Sequence, residues 1–486
     1  MSEEKSGGLL IGWATADLTP ERPVVIAGQR HIRVSEGVMD PVTATVLVLE
    51  SKAEGAKVEQ AVLVSCDLVC ISNELRDAVR EKVRDKVPGV DPGQVVLNAT
   101  HTHTAPMTRT GKWRGMDLGV DVMPAGEYVN LIAGRIADAV AQAWKDRAPQ
   151  GISYGLGQAV VGHNRLACSF DGKSTMYGKT DRPDFSHVEG YEDHSVNVLA
   201  TWSRERRLTG LVVNVACPSQ VSEGEFQISA DYWHDVRVEL RRRFGGDLFV
   251  LPQCSAAGDQ SPHLLLNRAA EERMRKLAGI SERQAIAVRI ADAVSSAMPV
   301  LQQSIEADPR FVHRAGTVEL PRRALGKAEA DNAAAEARRC RAKYEELRAG
   351  LIAKPELKKE PRWYVPASSA YGLAEWNELV AARLELQKSQ PRVPVEVHVL
   401  LLGDVAFATN PFEYYLDYGC QIKARSRAVQ TFVVQLAGEG TYLPSARATA
   451  GGSYGAVPAS TIVGPEGGRE LARRTVELID GLWKRK

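Results

Sequence analysis

Two histidines, His101 and His103, stand two positions apart in the stretch VVLNATHTHTAP, which runs from Val95 to Pro106. The residues before them have the composition of the end of a buried strand. If the chain stays extended past that strand, both imidazoles leave the backbone on the same face. Two neutral imidazoles side by side suit a divalent metal, or one metal ligand beside one acid/base. The same pattern is also typical of histidines that cap a strand and bond to carbonyls, so spacing alone leaves both interpretations open.

Two further motifs follow predicted strands. Val213–Gln220 (VNVACPSQ) is a strand that ends near Cys217, whose thiol would lie at the same sheet edge as His101. A buried cysteine that packs as a small hydrophobe is the competing interpretation. Gln253–His263 (QCSAAGDQSPH) presents Ser261 after a glycine turn, without the GxSxG elbow of the α/β-hydrolases. A hydroxyl that orients water or substrate is therefore a better prediction for Ser261 than a serine nucleophile.

Two last motifs complete the set. Ala408–Tyr415 (ATNPFEYY) places Glu413 at the exit of a strand, and Gly438–Gly455 is a glycine-rich loop with Tyr442 and Tyr454. Each motif is weak by itself, since a glutamate in this position also suits the first turn of a helix. However, all of them lie where strands end, and open α/β sheets bind ligands at the carboxyl ends of their strands.

Composition excludes several function classes. The 486 residues carry a formal net charge of +1 and are 44% hydrophobic, so no electrostatic footprint for nucleic acid or anionic membrane is visible. Seven scattered cysteines argue against a disulfide framework and for the reduced thiols of a cytoplasm. The N-terminus lacks the features of a signal peptide, and no stretch approaches the roughly 20 apolar residues of a membrane span. We expect a cytoplasmic protein without a transmembrane segment.

Strand and helix patterns alternate along the chain, which predicts an α/β fold with a mixed β-sheet core flanked by helices. Segment 162–193 is predicted to be an irregular surface excursion, and Ser281 with Gln284 predicts a capping box. The predicted strands are 9–18, 42–50, 61–65, the strand before His101, 151–161, 194–203, 209–216, 248–253, 393–409 and 430–436. The predicted helices are 73–87, 126–146, 231–244, a helix running to about 303, and 466–484.

Residues 325–390 differ from the rest, because they are rich in Ala, Glu, Arg and Lys and read as helices interrupted at KPELKKEPRWYVP. This composition is typical of a solvated helical hairpin that packs on the body by one stripe. We interpret the segment as an insertion or lid-like arm of a single catalytic domain that spans residues 1–486. No tandem repeat is visible.

Taken in order, the motifs resemble the catalytic domain of the neutral (non-lysosomal) ceramidase family. ATHTHTAP resembles that family's ATHTHSGP, AGDQSPH its GDVSPN, and NPFE its PGEF. Tyr442-Leu-Pro with Tyr454 is similar to its paired tyrosines, HNRL to its NRS segment, and MDPVTATVLVLE to its DPLxARALVLE. The resemblance is collinear from about residue 10 to residue 470. The family's C-terminal immunoglobulin-like domain is expected to be absent.

The resemblance implies a zinc amidohydrolase with one Zn²⁺ per chain, in which His101, Glu413 and Tyr442 are ligands. The family's fourth ligand is a histidine followed by proline, and this sequence has Cys217 at that position. Thiolate is a good zinc ligand, so Cys217 can substitute directly. Alternatively, a nearby histidine serves, or the site binds metal weakly or not at all. The nearby histidines are His234 and His263.

By the same resemblance, four residues would surround the water and the scissile carbonyl. They are His103, Arg165, Ser261 and Tyr454. Zinc would acidify a water for attack on an amide carbonyl, His103 would transfer protons, and Arg165 with Tyr454 would stabilise the oxyanion.

The function predicted from the sequence is metal-dependent, ceramidase-like hydrolysis of a linear amide. Loop 107–124 and the 325–390 arm are charged more than apolar, which favours a soluble amide or ester over a membrane lipid as the small-molecule substrate. Three alternatives stay open. One is a catalytically altered or non-catalytic ligand-binding member of the family, the second is an esterase on a soluble substrate, and the third is a serine hydrolase that uses Ser261.

Overall fold

The computed structural model of the protein describes residues 8–51, 58–113, 116 and 119–484. Within these ranges the strands are β1 (Leu9–Asp17), β2 (Val25–Ile26), β3 (Arg33–Val34), β4 (Thr43–Ser51), β5 (Gln60–Cys66), β6 (Val95–Ala99), β7 (Ala148–Pro149), β8 (Gly151–Gln158), β9 (His163–Asn164), β10 (Leu166–Ser169), β11 (Ser174–Met176), β12 (Phe185–Val188), β13 (Ser195–Trp202), β14 (Leu208–Val215), β15 (Phe249–Cys254), β16 (Gln260–Ser261), β17 (Phe311–Pro321), β18 (Arg392–Leu402), β19 (Val405–Thr409), β20 (Glu413–Tyr414), β21 (Gln430–Val434) and β22 (Tyr442–Leu443). The α-helices are α1 (Asn73–Lys86), α2 (Ala125–Asp146), α3 (Tyr232–Phe244), α4 (Arg268–Ala278), α5 (Glu282–Gln303), α6 (Lys327–Ala353), α7 (Val365–Ser389), α8 (Leu416–Arg425), α9 (Ala446–Gly451) and α10 (Pro465–Gly481).

Three large sheets have the same connection order, although the sequence shows no repeat. In the first, β1, β4 and β5 pair antiparallel, and β6 joins β5 in parallel after helix α1. The second repeats this order with β8, β13 and β14, then α3 and the parallel strand β15. The third uses β17, β18 and β19, then α8 and the parallel strand β21. Each sheet therefore contains one parallel pair built across a helix, as parallel pairing requires.

The three sheets share one apolar core. Side chains of β1, β13, β14, β19 and β21 meet in one buried cluster that includes Ile11, Leu199, Val212, Phe407 and Phe432. Helices cover the opposite faces: α1 and α2 lie on the first sheet, α3 and α5 on the second, and α8 and α10 on the third. Burial on both faces explains why strands such as β4 read as continuous apolar runs rather than as alternating patterns.

The α/β fold class predicted from the sequence is confirmed, and most predicted strands and helices agree with the structure to within about two residues. The capping box is present, since the Ser281 side chain accepts from the Gln284 backbone and the Gln284 side chain accepts in return. The prediction of an irregular 162–193 segment is wrong, because it contains β9 to β12. These strands are two to four residues long, too short for a periodic pattern. Strand β17 and helices α4 and α8 were not predicted from the sequence.

The charged segment forms the predicted helical hairpin, in which α6 packs along α7. Helix α7 docks on the body at the segment around β3. The Ser368 hydroxyl accepts from the backbone N–H of Ile32 at 3.0 Å, and the Tyr364 hydroxyl accepts from that of Val34 at 3.2 Å. The arm is thus fixed to the chain just before and within β3.

All seven cysteines are free. Of the helices that the structure describes, α5 alone is long and apolar enough to cross a bilayer by length and composition. Ten of its side chains are buried, nine of them in the cluster with the second sheet and α3, so it is the kind of core helix that also passes this test.

A buried polar network joins the third sheet to the first. His313 Nδ1 lies 2.8 Å from the carbonyl oxygen of Gln60, and its Nε2 lies 3.0 Å from His398 Nδ1. His398 Nε2 in turn lies 2.9 Å from the Glu396 carboxylate, which also pairs with Arg80. Burial, with the neighbouring His398 as the next cause, lowers the pKa of His313 to about 3.

This network predicts that the folded protein loses stability in mild acid. In the unfolded chain His313 regains its ordinary pKa of about 6.5, so below that pH the unfolded chain binds a proton that the folded protein refuses. The free energy of unfolding then falls as the pH falls from about 6.5, by roughly 2 kcal/mol between pH 7 and pH 5 from this residue. Urea unfolding at several pH values measures the slope. His313→Gln should flatten it, and His187→Gln, at an exposed histidine, should not; equal slopes in the two variants would contradict the assignment.

Candidate active site

The loop after β6 holds His101 in an unusual backbone conformation. Its φ is +66°, in the left-handed region that residues other than glycine seldom adopt. The expectation of an extended chain at this point is therefore wrong. The backbone N–H of His101 donates to Leu68 O at 2.9 Å, and its Nδ1 lies 2.6 Å from Val69 O. Because Nδ1 is bonded to that carbonyl, Nε2 is the nitrogen of His101 that faces the site.

A buried ion pair anchors this loop from below. The Arg237 guanidinium on α3 donates to both carboxylate oxygens of Asp67, at 2.9 and 3.0 Å, and the Asp67 side chain is fully buried. Asp67 also accepts from the backbone and hydroxyl of Thr43 and from the Thr100 hydroxyl. The residue before His101 is thereby tied to the first sheet and to the helix of the second.

Glu413 and Tyr442 are brought side by side by the short strands β20 and β22, which pair in parallel with these two residues as register partners. Glu413 Oε2 lies 3.4 Å from His101 Nε2. Burial alone would raise the pKa of Glu413, but the facing His101 and a hydrogen bond from Tyr442 lower it to about 2, so the carboxylate is ionised. Gly258 permits this approach, because a Cβ there would lie 2.3 Å from the Glu413 carbonyl oxygen.

Arg165 is buried at the centre of the site and uses its donors on four partners. They are Gln220 Oε1 at 3.2 Å, Tyr177 Oη at 3.1 Å, the Gly258 carbonyl at 2.9 Å and Tyr442 Oη at 3.4 Å. The guanidinium therefore acts as a hub that orients other side chains. It places positive charge beside the phenol of Tyr442 and fixes which end of the Gln220 amide faces the site.

His103 faces His101, with 3.3 Å between their Nε2 atoms. Because Arg165 takes the Gln220 oxygen, the Gln220 amide nitrogen donates to His103 Nε2 at 2.8 Å. On the other side of the ring, Glu223 Oε2 lies 3.3 Å from His103 Nδ1. Burial lowers the pKa of His103 to about 4 despite the contact with Glu223, so this imidazole is neutral at pH 7.

Ser261 and Tyr454 reach this cluster through different tyrosines. The Ser261 hydroxyl accepts from Tyr177 Oη at 3.2 Å and from the backbone N–H of His263 at 3.1 Å. No imidazole nitrogen bonds to it within the described residues, so the arrangement expected of a serine nucleophile is not found there. The ring of Tyr454 stands edge-on to that of Tyr442, with 5.9 Å between centroids.

Cys217 lies apart from the other predicted ligands. Its side chain is fully buried in the core between the second sheet and α3, and its thiol points to the carbonyl oxygens of Val161 and Pro218. Burial raises the pKa of this thiol well above its ordinary value. Among the described residues, the thiol contacts none of the other three predicted ligands. These surroundings agree with the interpretation of Cys217 as a small, buried, apolar side chain. For the suggested substitute His234, no side-chain contact with the cluster is found among the described residues. The His263 ring meets Glu223, with Nε2 3.5 Å from Oε1, and the ring of Tyr177, rather than the predicted ligands.

The structure adds residues that the sequence did not single out. Gln220 is three positions after Cys217, at the end of the motif that was noted for the thiol. Glu223 and Tyr177 carried no signal, because they come from loops whose path the sequence does not reveal. Arg30 contacts Tyr454 from the segment before β3. A sequence pattern locates strand ends, but it does not tell which side chain of the following turn points inward.

A cavity of about 380 Å³ adjoins the cluster on the side of Tyr177, Glu223 and His263. Its wall mixes charged and apolar side chains; the charged residues beyond these are Arg268, Glu271, Glu272, Arg275, Glu282 and Arg289, and the apolar ones include Val161, Leu264 and Ile286.

The donor atoms in the cluster can be tested against the zinc ion that the sequence resemblance implies. No group of three or more His, Cys, Asp or Glu suited to a metal occurs in the part of the chain that the structure describes. The set His101, Glu413 and Tyr442 nevertheless offers an imidazole nitrogen, an ionised carboxylate and a phenol, and the carboxylate contacts both of the others. Three protein donors with one open position is the composition of catalytic zinc sites, so the residues fit the ion without Cys217.

The ion pair beneath the His101 loop generates a stability prediction. Asp67→Asn leaves the buried Arg237 guanidinium without its counter-charge, and we expect the free energy of unfolding to fall by about 3–5 kcal/mol. Denaturant unfolding measures this. As a control, Asp138→Asn breaks the exposed pair with Lys86 and should cost less than about 1 kcal/mol. Comparable losses in the two variants would show that the buried pair has no special structural role.

The comparisons with known proteins point to one fold. The sequence matches no family model and no curated protein. Among solved structures, the chain is similar to the neutral ceramidase from Pseudomonas aeruginosa, with a TM-score of 0.68 and 18% identity over 98% of this chain and 74% of that one. It is also similar to a ceramidase complexed with C2, with a TM-score of 0.65 and 16% identity over 98% of this chain and 75% of that one. The protein therefore has a fold like that of the neutral ceramidases.

Proposed function

We propose that the protein is a hydrolase that cleaves a linear amide bond with machinery like that of the neutral ceramidases. The observation that supports this most is the convergence of His101, His103, Glu413 and Tyr442 around Arg165, at the carboxyl ends of strands, in a ceramidase-like fold. The fold similarity alone would not carry the activity, since one fold hosts many functions.

His101, Glu413 and Tyr442 would hold Zn²⁺. When bound, the ion supplies a Lewis acid for a carbonyl oxygen and lowers the pKa of water to near 7. The protein contributes the ionised state of Glu413, and through Val69 O it orients His101 so that Nε2 faces the site. These features prepare the donors before any ion arrives.

His103 would take the proton from the attacking water and later return it to the leaving amine. Its neutral imidazole has one lone pair at Nε2, which accepts from the Gln220 amide, so the attacking water would replace that N–H donor before it gives up its proton. Protonation at Nε2 makes the ring cationic, and the Glu223 carboxylate beside Nδ1 stabilises that charge. A general base of this kind typically contributes 10²–10⁴-fold to the rate.

Arg165 and Tyr454 would assist the developing oxyanion in different ways. Arg165 donates from both terminal nitrogens to four protein partners, so it acts through the positive field it places at the site and through Tyr442, which it positions. The Tyr454 hydroxyl accepts from Arg30, and its own proton is free to donate to a substrate oxygen. Ser261 would hold Tyr177 in place rather than touch the substrate.

A second candidate function is that of a ligand-binding member of the family without hydrolytic activity. The place of Cys217 favours it, because the fourth donor that the resemblance implies is withdrawn into the core. Ion content and turnover separate the two functions.

Metal analysis of purified variants tests the proposed ligands. We expect about one zinc ion per chain in the wild type, loss of the ion in His101→Ala and Glu413→Gln, and retention in Cys217→Ala, because that thiol lies in the core. Loss of zinc in Cys217→Ala with an intact fold would restore the thiol as a ligand. Absence of metal from every preparation would favour the ligand-binding function.

His103→Gln provides the complementary kinetic measurement. The variant should keep its zinc while its kcat on an N-acyl substrate falls by 10²–10⁴-fold. Simultaneous loss of zinc would make His103 a ligand rather than the proton carrier. An unchanged kcat would remove it from the mechanism.

A further inference from the structure

Arg30 is a cation without a counter-ion beside the site. Its guanidinium carbon lies 3.5 Å from the ring centroid of Trp376 and 4.9 Å from that of Tyr454, and a terminal nitrogen donates to the Tyr454 hydroxyl. Within the described ranges, no carboxylate lies at ion-pair distance from it, and its buried Nε has no hydrogen-bond partner. Aromatic faces hold a guanidinium in place but leave its edge free for an anion.

Lys112 adds a second cation without a carboxylate partner. It follows the histidine loop, lies with its ammonium 4.8 Å from the ring centroid of Trp113, and stays accessible to solvent. No acidic side chain is within ion-pair distance of it in the part of the chain that the structure describes. The cations Arg109 and Arg30 and the Glu375 carboxylate all act electrostatically on its ammonium. Arg30 and Lys112 are thus two cations without an ion-pair partner among the described residues, and α7 packs against the segments of both.

The arm builds this wall. Helix α7 supplies Trp376 and contacts both cationic segments at Gly372, where a Cβ would lie 2.5 Å from the Arg30 carbonyl oxygen and 2.6 Å from the Trp113 ring. Because Tyr454 stacks on Trp376 and stands edge-on to Tyr442, the wall is continuous with the catalytic cluster. The arm therefore contacts the site through Trp376, and it is not only a solvent-exposed helical hairpin.

We propose that Arg30 and Lys112 bind an anionic group of the substrate, so that the protein acts on amides that carry a negative charge near the scissile bond. An N-acyl amino acid, in which a carboxylate is one carbon from the amide nitrogen, is the simplest compound of this class. A phosphate at a similar distance shares the chemistry, since both groups present several acceptor oxygens to a guanidinium and an ammonium. This inference rests on the proposed amide hydrolysis and extends it to the choice of substrate.

Matched substrates test the inference. N-octanoylglycine and N-octanoylglycinamide differ in one charge, and N-octanoyl phosphoethanolamine replaces the carboxylate by phosphate. We expect kcat/KM of the wild type to be higher on a charged amide than on the neutral one by about tenfold or more, the value of one charge-assisted hydrogen bond. Which charged amide is preferred identifies the group. Raising the ionic strength should reduce the preference.

Lys112→Met should reduce the charged-to-neutral ratio, mainly by raising KM for the charged amide. Lys343→Met, at an exposed lysine on α6, is the matched control and should leave the ratio unchanged. Arg30→Gln should reduce the ratio further. Equal kcat/KM on charged and neutral amides, or a loss in Lys112→Met that is the same for both, would overturn the inference.

Calorimetry keeps the inference testable if no amide is hydrolysed. Tighter binding of N-octanoylglycine than of N-octanoylglycinamide to the wild type, with the difference lost in Lys112→Met, would uphold the anionic subsite while the proposed activity fails. Equal affinity for the two compounds, or no binding of either, would overturn the subsite as well.

Discussion

Backbone hydrogen bonds between the carboxyl ends of the three sheets are the constraint on which the site depends. Ala99 N donates to Leu436 O at 3.2 Å, and Gln435 N donates to Cys254 O at 3.0 Å, so the parallel strands β6, β21 and β15 are joined where they end. Ser219 N completes the circle by donating to Thr100 O at 3.2 Å. Since these bonds use main-chain atoms, they fix the loops that follow whichever side chains those loops carry.

Buried charge is tolerated at this junction because each charged group finds partners on a different sheet. Arg33 illustrates this. Its fully buried guanidinium donates to the carbonyls of Glu223 and Glu225, in the loop after β14. It also donates to the carbonyl of Ala27, after β2, and to that of His103, after β6. A buried guanidinium without partners would cost several kcal/mol, so the loops that supply these carbonyls are held beside Arg33. The bond from the Arg33 guanidinium to the His103 carbonyl therefore fixes the backbone of His103.

The sequence was sufficient to predict the α/β class and the ends of most strands. Strands that are buried on both faces, such as β4, β5 and β14, have long apolar runs that are easy to recognise. It also identified His101, Glu413 and Tyr442, which the structure brings into contact. It did not show that Cys217 turns into the core while Gln220 reaches His103, since the direction of a side chain after a strand depends on backbone dihedrals in the turn. The left-handed backbone conformation of His101 could not be predicted from the sequence for the same reason.

The threefold connection order explains how such differences arise without disturbing the fold. Each sheet presents two loops, one after its third strand and one after the parallel strand, and all six meet at the junction. The loop after β5 holds His101 through the main-chain oxygens of Leu68 and Val69, and its Asp67 side chain pairs with Arg237 beneath. The other loops contribute side chains, so a substitution in one of them, such as at Cys217, leaves the backbone circle intact. Side chains on this scaffold can therefore vary loop by loop, and the arm, which reaches the cluster at Trp376 beside Tyr454, forms one wall of the site without belonging to any of the six loops.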